Sequence, residues 1–405
     1  MELKEGYKQT ELGLVPEDWE IVQLGEIGYF KNGINKSKED FGFGFPFVNL
    51  MDVFGKPKIY GNEEFDLINS NEAERNLYNL KKGDIIFIRS SVKPSGVGLT
   101  SVVNIDLVKT VFSGFLIRYR ENIGIHNEYK RYCFYEEKFR NELISNSSVS
   151  ANTNINQEAL KKLKLILPTL PEQKAIAQVL SDTDNLIQTI EQKLTKKRAI
   201  KQGAMQQLLT PKDDWEVKKL GDIGEGIIGL TYSPNDVNKT GTLVLRSSNV
   251  QNGQLSFKDN VFVEMNLPER VIVRENDILI CVRNGSKRLI GKCALIDKQT
   301  EGSAFGAFMT IYRSKYAKFI FYVFKSHHIQ RQIDEVMGAT INQITNKDLN
   351  SFEVPFPSEE EQTHIATILS DMDADITLLE QKLSKYRMLK QGLMQNLLTG
   401  KIRLV

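Results

Sequence analysis

The sequence predicts two mixed α/β globular domains, each followed by one long helix, with the two helices packed on each other. Three observations lead there. The stretch Glu172–Thr210 recurs as Glu361–Thr399 at an offset of 189 residues, without a gap and with 23 of 39 positions identical. Both copies carry apolar residues at alternating spacings of four and three. The chain before them repeats too: Trp19-Glu-Ile-Val-Gln-Leu-Gly-Glu-Ile27 returns as Trp215-Glu-Val-Lys-Lys-Leu-Gly-Asp-Ile223. Self-similarity of this kind marks a duplicated architecture, here a domain plus a helix.

In the second copy the apolar stripe is Ile365, Leu369, Met372, Ile376, Leu379, Leu383, Tyr386, Leu393 and Leu397, with Lys390 as its polar interruption. In the first it is Ile176, Leu180, Thr183, Ile187, Ile190, Leu194, Ala204 and Leu208, interrupted by Lys197 and Lys201. Such a stripe stays on one face only when the helix is slightly supercoiled against a partner. Neither copy contains Pro, and only Gly203 and Gly392 weaken the helical reading. At 1.5 Å per residue each helix extends roughly 55 Å. A lone helix would leave its stripe exposed, and the chain supplies a second of equal length. The alternative is that each helix packs only on its own neighbouring domain. Spacing leaves the direction of pairing open, with antiparallel preferred.

At 405 residues the chain is too long for one ordinary core and suits two or more domains. The expected divisions are 1–170, a polar N-terminal segment with the first globular domain; 171–210, the first helix; 211–358, the second domain; and 359–405, the second helix and tail. No run of 18 apolar residues occurs, and the opening MELKEGYKQTELG lacks an apolar signal core. Cys133, Cys281 and Cys293 have neither disulfide nor metal-ligand spacing. These features point to a cytoplasmic protein with no membrane partner. The net charge of +2 means that any nucleic acid must meet charge sorted onto one face or supplied by another subunit.

Inside the domains the repeat is weaker but keeps its order. Asn49-Leu-Met-Asp-Val53 answers Ser248-Asn-Val250. Lys82-Gly-Asp-Ile-Ile-Phe-Ile-Arg89 answers Glu275-Asn-Asp-Ile-Leu-Ile-Cys-Val-Arg283, each a turn opening a buried strand that ends on an arginine. Gly-rich or basic loops follow, Ser90–Gly98 and Asn284–Gly291. Next come Val111-Phe-Ser-Gly-Phe-Leu-Ile-Arg118 and Ala304-Phe-Gly-Ala-Phe-Met-Thr-Ile311, then an aromatic helical segment in each half, Tyr129–Leu143 and Lys315–Val336. Each domain closes with Ile-Asn-Gln, at Ile155–Gln157 and Ile341–Gln343, and a strand-like run ending in Pro168 or Pro357. A helix start with Pro171 and Glu172 is favourable, and Pro211 and Gly400 stop the two helices.

Enzymatic signatures are missing. No Gly-rich phosphate loop ends in Gly-Lys-Ser/Thr; Gly291-Lys292-Cys293 lacks the hydroxyl that would hold a metal. No dinucleotide fingerprint and no Asn-Pro-Pro-Tyr-like amino-methyltransferase site occurs. His327-His328 has no acidic or Cys cluster beside it, and reads as helix decoration rather than metal ligand. Asp182, Asp184, Asp371 and Asp373 recur on the polar side of the helices and read as solvated surface or subunit contact. The chain is therefore expected to bind without catalysing.

The opening Tyr7-Lys-Gln-Thr-Glu-Leu-Gly-Leu-Val-Pro16, the Asp18-Trp-Glu phrase and the Gly/Asn-Asp-Ile-Leu/Ile strands carry a resemblance. So do the Glu-Gln…Ile-Ala…Leu-Ser-Asp helices and the closing Leu398-Thr-Gly-Lys-Ile-Arg403. In this order, and given twice, they resemble the specificity (S) subunit of type I restriction–modification systems over essentially the whole chain. The resemblance implies that each globular part is a target recognition domain reading one half of an asymmetric, bipartite DNA sequence. It implies helices paired as an antiparallel coiled coil with pseudo-two-fold symmetry, acting as a spacer that sets the gap. It further implies docking of two methyltransferase (M) subunits, which bind S-adenosylmethionine and methylate adenine. Two restriction (R) subunits would use ATP and Mg. No cofactor would belong to this chain. The N-terminal segment would pack near the far end of the helix pair.

Groove reading needs Arg, Lys, Asn, Gln, Ser or Thr on loops that reach base edges. The candidates follow the buried strands: Arg89, Ser90, Ser91, Lys93 and Ser95 in the first domain, and Arg246, Ser247, Arg283, Asn284, Lys287 and Arg288 in the second. Arg89 and Arg283 recur, so a strand-end structural role competes with base contact for them. Lys130, Arg131, Lys138, Arg140, Lys325 and Arg331 on the expected helices suit either phosphate gripping or a solvated face. The Asn and Gln of the recurring Ile-Asn-Gln elements can pair bidentately with adenine, but recurrence in two domains expected to read different sequences favours a structural or M-docking role. The rival readings are an orphan or degenerate S-like protein and a coiled-coil adaptor between proteins.

Overall fold

The computed structural model describes residues 5–337 and 342–404. It resolves into two units, residues 1–191 with 382–405 and residues 192–381. Ile341, the first residue of the second Ile-Asn-Gln element, lies outside the described residues.

Two helices of 39 residues each, Leu170–Leu208 and Glu359–Leu397, contribute to both units. Glu172 and the run Glu359, Glu360 and Glu361 occupy their first turns, where carboxylates meet the exposed N–H groups. Gly400, at φ +70°, takes the left-handed backbone that follows the second helix.

The helices run antiparallel. In the first unit Asp184 pairs with Lys390 at 2.6 Å and Glu191 with Arg387 at 2.6 Å. In the second, Lys201 meets Asp373, Lys197 meets Asp375 at 2.6 Å and Arg198 meets Glu380 at 2.5 Å. Within each unit the numbers run in opposite directions, from Asp184–Lys390 to Glu191–Arg387 and from Lys197–Asp375 to Lys201–Asp373. Ile176, Leu180, Ile190, Leu194, Ile365, Leu369, Ile376 and Leu383 are buried along the stripe. The polar interruptions in the heptads are thus ion pairs between the helices, and Lys201 is itself buried. A polar residue in such a seam fixes register at some cost in stability.

Asp184 and Asp373, read from the sequence as solvated surface or subunit contact, are partly buried and tied within the chain. Asp184 Oδ2 accepts from the Tyr132 hydroxyl at 2.8 Å while Oδ1 faces Lys390. Asp373 Oδ2 accepts from the Tyr322 hydroxyl at 3.1 Å while Oδ1 takes Lys201. Burial, with the neighbouring carboxylates, pushes both phenols well above their usual range. Each long helix is therefore tied both to its globular neighbour and to the other helix, so the two packing alternatives hold together.

The first unit is built on a five-stranded sheet ordered Gly28–Asn32, Leu116–Glu121, Ile85–Ile88, Thr100–Val103, Lys58–Ile59. Beside it lie a three-stranded sheet (Val111–Phe112, Phe41–Val48, Asp66–Ile68) and a smaller one (Ser148–Val149, Thr153–Asn154, Ser90–Ser91). The second unit has a four-stranded sheet, Glu225–Ile228, Met309–Arg313, Ile278–Cys281, Cys293–Leu295. A second sheet is ordered Val237–Asn238, Phe262–Val263, Thr242–Leu245, Ala304–Phe305. The runs Ile85–Ile88 and Ile278–Cys281 are buried throughout, which explains why they read as unbroken apolar stretches.

The repeated Asp before each run has a structural cause. Asp84 takes Arg120 in a two-pronged pair at 2.6 and 2.6 Å, and Asp277 takes Arg313 at 2.8 and 2.7 Å, with both carboxylates almost fully buried. The adjacent tyrosines donate to main-chain carbonyls, Tyr119 to Leu24 at 3.0 Å and Tyr312 to Leu220 at 2.8 Å. These bonds lock the central strands to the strand that follows each tryptophan.

The aromatic segments form helix pairs rather than one helix each: Asn127–Cys133 with Glu137–Ser145, and Ala317–Phe324 with His327–Val336. Their cations are mostly engaged. Lys130 is buried against Glu121 at 2.8 Å, Arg131 reaches Glu128 and Asp184, and Arg140 donates to the Val97 carbonyl at 2.8 Å. Lys138 donates to the Leu12 carbonyl, and Lys325 lies 4.7 Å from the Phe321 ring centre. Arg331 remains mostly exposed beside Glu335. His328 Nε2 lies 3.0 Å from the Glu353 carbonyl. The three cysteines are buried and unpaired; burial pushes Cys293 up to about 12 and raises Cys133 and Cys281. Such thiols are poor nucleophiles.

In the first unit the chain ends meet. Tyr7 donates to the Gly400 carbonyl at 2.7 Å, and Arg403 takes Asp18 at 2.9 and 2.8 Å and Glu172 at 2.7 and 3.0 Å. Trp19 Nε1 donates to Glu172 at 2.7 Å. The second unit repeats the motif more simply, with Trp215 Nε1 on Glu361 at 3.0 Å and Lys212 on the same carboxylate. Glu172→Ala strands a buried indole N–H and leaves Arg403 with Asp18 alone, and should cost about 2–3 kcal/mol. Glu361, a quarter exposed, should cost about 1 kcal/mol as alanine, and thermal unfolding of the two variants ranks them. The Arg403 hydrogen bond holds Asp18 below the usual carboxylate range. A depressed folded-state value stabilises above the ordinary value near ~4 and is lost as pH falls through the depressed one. Asp18→Asn should therefore flatten the acid limb of a melting-temperature profile and leave neutral-pH slopes alone.

Candidate nucleic-acid interface

The predicted residues gather where the central buried strands end. In the first unit Ile85–Ile88 runs into Arg89, then Ser90 and Ser91 pair with Asn154 and Thr153. Arg89 is half-buried, its N–H on the Phe115 carbonyl at 2.9 Å and Nη1 on the Gly114 carbonyl at 3.3 Å. Lys93 and Ser95 are exposed on the following turn, beside Val92, which is 81 % exposed. The Ser95 carbonyl accepts from Arg140 at 3.2 Å, so that helix supports the turn.

In the second unit Arg283 is exposed, its guanidinium carbon 5.3 Å from the Phe308 ring centre. Asn284 donates to Ser247 Oγ at 3.2 Å and accepts from the Ser286 N–H at 3.0 Å, joining two of the predicted segments. Arg246 pairs with Asp259 at 3.0 Å. Lys287 lies 3.9 Å from Asp334 with both side chains exposed, and Arg288 is exposed. Tyr232, Arg246, Ser247, Ser248 and Phe308 line a cleft of about 650 Å³. The Arg246 Nε and Ser248 Oγ atoms are buried without a hydrogen-bond partner among the described residues. Lys93, Lys287 and Arg288 stand on turns apart from that cleft's lining.

The supposed recurrence of Arg89 as Arg283 is displaced by one residue. Arg89 N–H and Val282 N–H donate to the equivalent carbonyls of Phe115 and Phe308, at 2.9 and 3.1 Å. The Arg89 and Val282 carbonyls accept from Ile155 and Ile344, at 2.9 and 2.8 Å. Arg89 thus corresponds to Val282, and Arg283 to Ser90. The Ile-Asn-Gln recurrence shifts likewise: Ile155 matches Ile344, and the helix caps are Asn156 and Thr345. Asn156 accepts from the Ala159 N–H at 2.8 Å, a capping role. Pairing the arginines by letter sets an eight-residue phrase against a nine-residue one, and pairing the Ile-Asn-Gln letters displaces that element by three residues.

Two features were missed. Phe115 and Phe308 occupy the same turn and are each 59 % exposed, although both stand in phrases visible as a repeat. The hairpin Ser148–Val149 to Thr153–Asn154 is rich in Ser and Asn and exposes Val149, but has no periodicity to announce it. Among the described residues no group of three or more His, Cys, Asp or Glu is placed to hold a metal, and no helix is long and apolar enough to cross a membrane.

The model of the type I restriction modification DNA specificity domain matches residues 16–197 and 212–385. The specificity subunit of the type I restriction enzyme MjaVIII from Methanocaldococcus jannaschii is 24% identical over 99% of this chain and 96% of its own length. That of EcoKI from Escherichia coli is 29% identical over 47% of this chain and 44% of its own. The crystal structure of the S subunit from M. genitalium shares the fold, with a TM-score of 0.59, 15% identity and 98% of each chain covered. Two matched stretches, one in each half, span most of the sequence, and the chain belongs to the family of type I restriction–modification specificity subunits.

Proposed function

We propose that each globular part, 1–170 and 211–358, reads one half of a bipartite, asymmetric DNA target, and that the helix pair sets the gap between the halves. The observation that carries this reading is the strand-end apex built twice on one buried frame with different side chains. The same Asp–Arg pair, the same tyrosine-to-carbonyl bond and the same strand-end bonds support Ser90 and Ser91 in one case and Arg283 and Asn284 in the other. Two sites of one kind with different lining suit two different half-sites. Arg89, Ser90, Ser91, Lys93 and Ser95 serve the first, and Arg246, Ser247, Arg283, Asn284, Lys287 and Arg288 the second, some reaching base edges and others phosphates.

Catalysis falls to partners. Two M subunits dock on the helix pair, bind S-adenosylmethionine and methylate adenine; two R subunits use ATP and Mg to cleave unmodified DNA. The chain's small net charge fits such a division, because phosphate neutralisation is then shared with the M subunits.

Methylation-site sequencing of DNA from cells expressing the chain with its neighbouring methyltransferase should show adenine methylation at one bipartite motif, lost when the chain is omitted. An active methyltransferase in stable complex with the chain but with no motif would sink the reading. Inserting one heptad into each helix lengthens the spacer by about 10 Å. The same sequencing should then show both half-sites unchanged and a gap longer by roughly three base pairs, at 3.4 Å per pair.

A further inference from the structure

The corrected register brings together two residue pairs that occupy one structural position. In the first unit Ser90 lies opposite Asn154 across a short antiparallel ladder. In the second Arg283 lies opposite Gln343. Both pairs follow the strand end that accepts from a buried isoleucine N–H, and both stand beside an equally exposed phenylalanine, Phe115 or Phe308. The backbone at this position is the same in the two units, and the side chains are not. That is the pattern expected of a position that varies with the sequence read, beside one that does not.

We propose that this cross-strand pair is a principal determinant of base preference in each domain, and that the adjoining phenylalanine is a sequence-independent anchor on the duplex. The inference rests on the DNA-reading role above. Arg283 offers a planar fork suited to the O6 and N7 acceptors of guanine, and Gln343 an amide suited to adenine. Ser90 and Asn154 carry no charge, so the first domain reads its position through neutral donors and acceptors. Arg283 rests near the Phe308 ring, which limits the guanidinium's freedom before DNA arrives. Phe308 also lines the largely apolar cleft that carries Arg246 and Ser247 on its wall, so its ring stands beside groups able to meet bases and phosphates. An exposed aromatic ring on such a surface can stack on a base or wedge a step, and every base presents a π-face. Its presence in both domains, which read different half-sites, fits contact of that kind.

The test uses the chain in complex with its methyltransferase, with methylation-site sequencing and competition binding on duplexes carrying single-base changes. Arg283→Ser places the first domain's residue in the second; Ser90→Arg makes the reciprocal change, and Phe308→Ala removes the ring. Arg283 and Phe308 are exposed, and melting temperatures report whether each variant is folded. Arg283→Ser should reduce discrimination at one base position of one half-site by roughly ten- to a hundred-fold, leaving the other half-site and the gap unchanged. Phe308→Ala should weaken binding to all duplexes alike without altering the motif. Uniform weakening by Arg283→Ser, or unchanged preference in both Arg283→Ser and Ser90→Arg, would overturn the proposal. So would a base change in the motif of Phe308→Ala. A wild-type complex that modifies no motif counts against the specificity reading itself, whereas a wild-type motif untouched by the variants counts against this one.

Discussion

Asp184 and Asp373 are the points on which the rest of the architecture depends. Each carboxylate accepts from a tyrosine of the globular part with one oxygen and faces a lysine of the opposite long helix with the other. An apolar seam alone tolerates slippage by a heptad, because one aliphatic knob fits another's hole nearly as well. A buried Lys201 does not tolerate it, since a displaced ammonium would lose the Asp373 carboxylate that offsets its desolvation. The same residue that sets the register of the helices therefore sets how each globular part sits on them. Mutating either aspartate would loosen two interfaces at once.

Within each unit the buried polar groups that hold the fold are distinct from the side chains on the strand-end turns. Asp84 pairs with Arg120 and Asp277 with Arg313 inside the core, and the Tyr119 and Tyr312 hydroxyls are satisfied by main-chain carbonyls. The strand-end turns inherit a fixed backbone and need supply little stability, so their side chains are free to differ. Loops on rigid scaffolds are where binding residues concentrate for this reason. On the short helices Lys130 and Arg140 hold strands and turns together through main-chain carbonyls, whereas Arg331 stays mostly exposed.

The sequence alone determined the duplication, the two long helices and the buried strands at the centre of each unit. These are legible because they are local or periodic: a heptad stripe, an apolar run after a turn and a proline or glycine stop can each be read within a few residues. The resemblance carried by their order extended the reading to antiparallel pairing and to DNA recognition. What only the tertiary structure decided is long-range pairing of polar groups. It turned heptad-breaking lysines into interhelical ion pairs, tied Asp184 and Asp373 within the chain, and buried Lys130. It shifted Arg283 onto Ser90 and Ile344 onto Ile155, because strand equivalence is defined by hydrogen-bond partners such as the Phe115 and Phe308 carbonyls and not by letter matching. A charged side chain's role depends on the partner brought to it from a hundred residues away, and no local pattern carries that information.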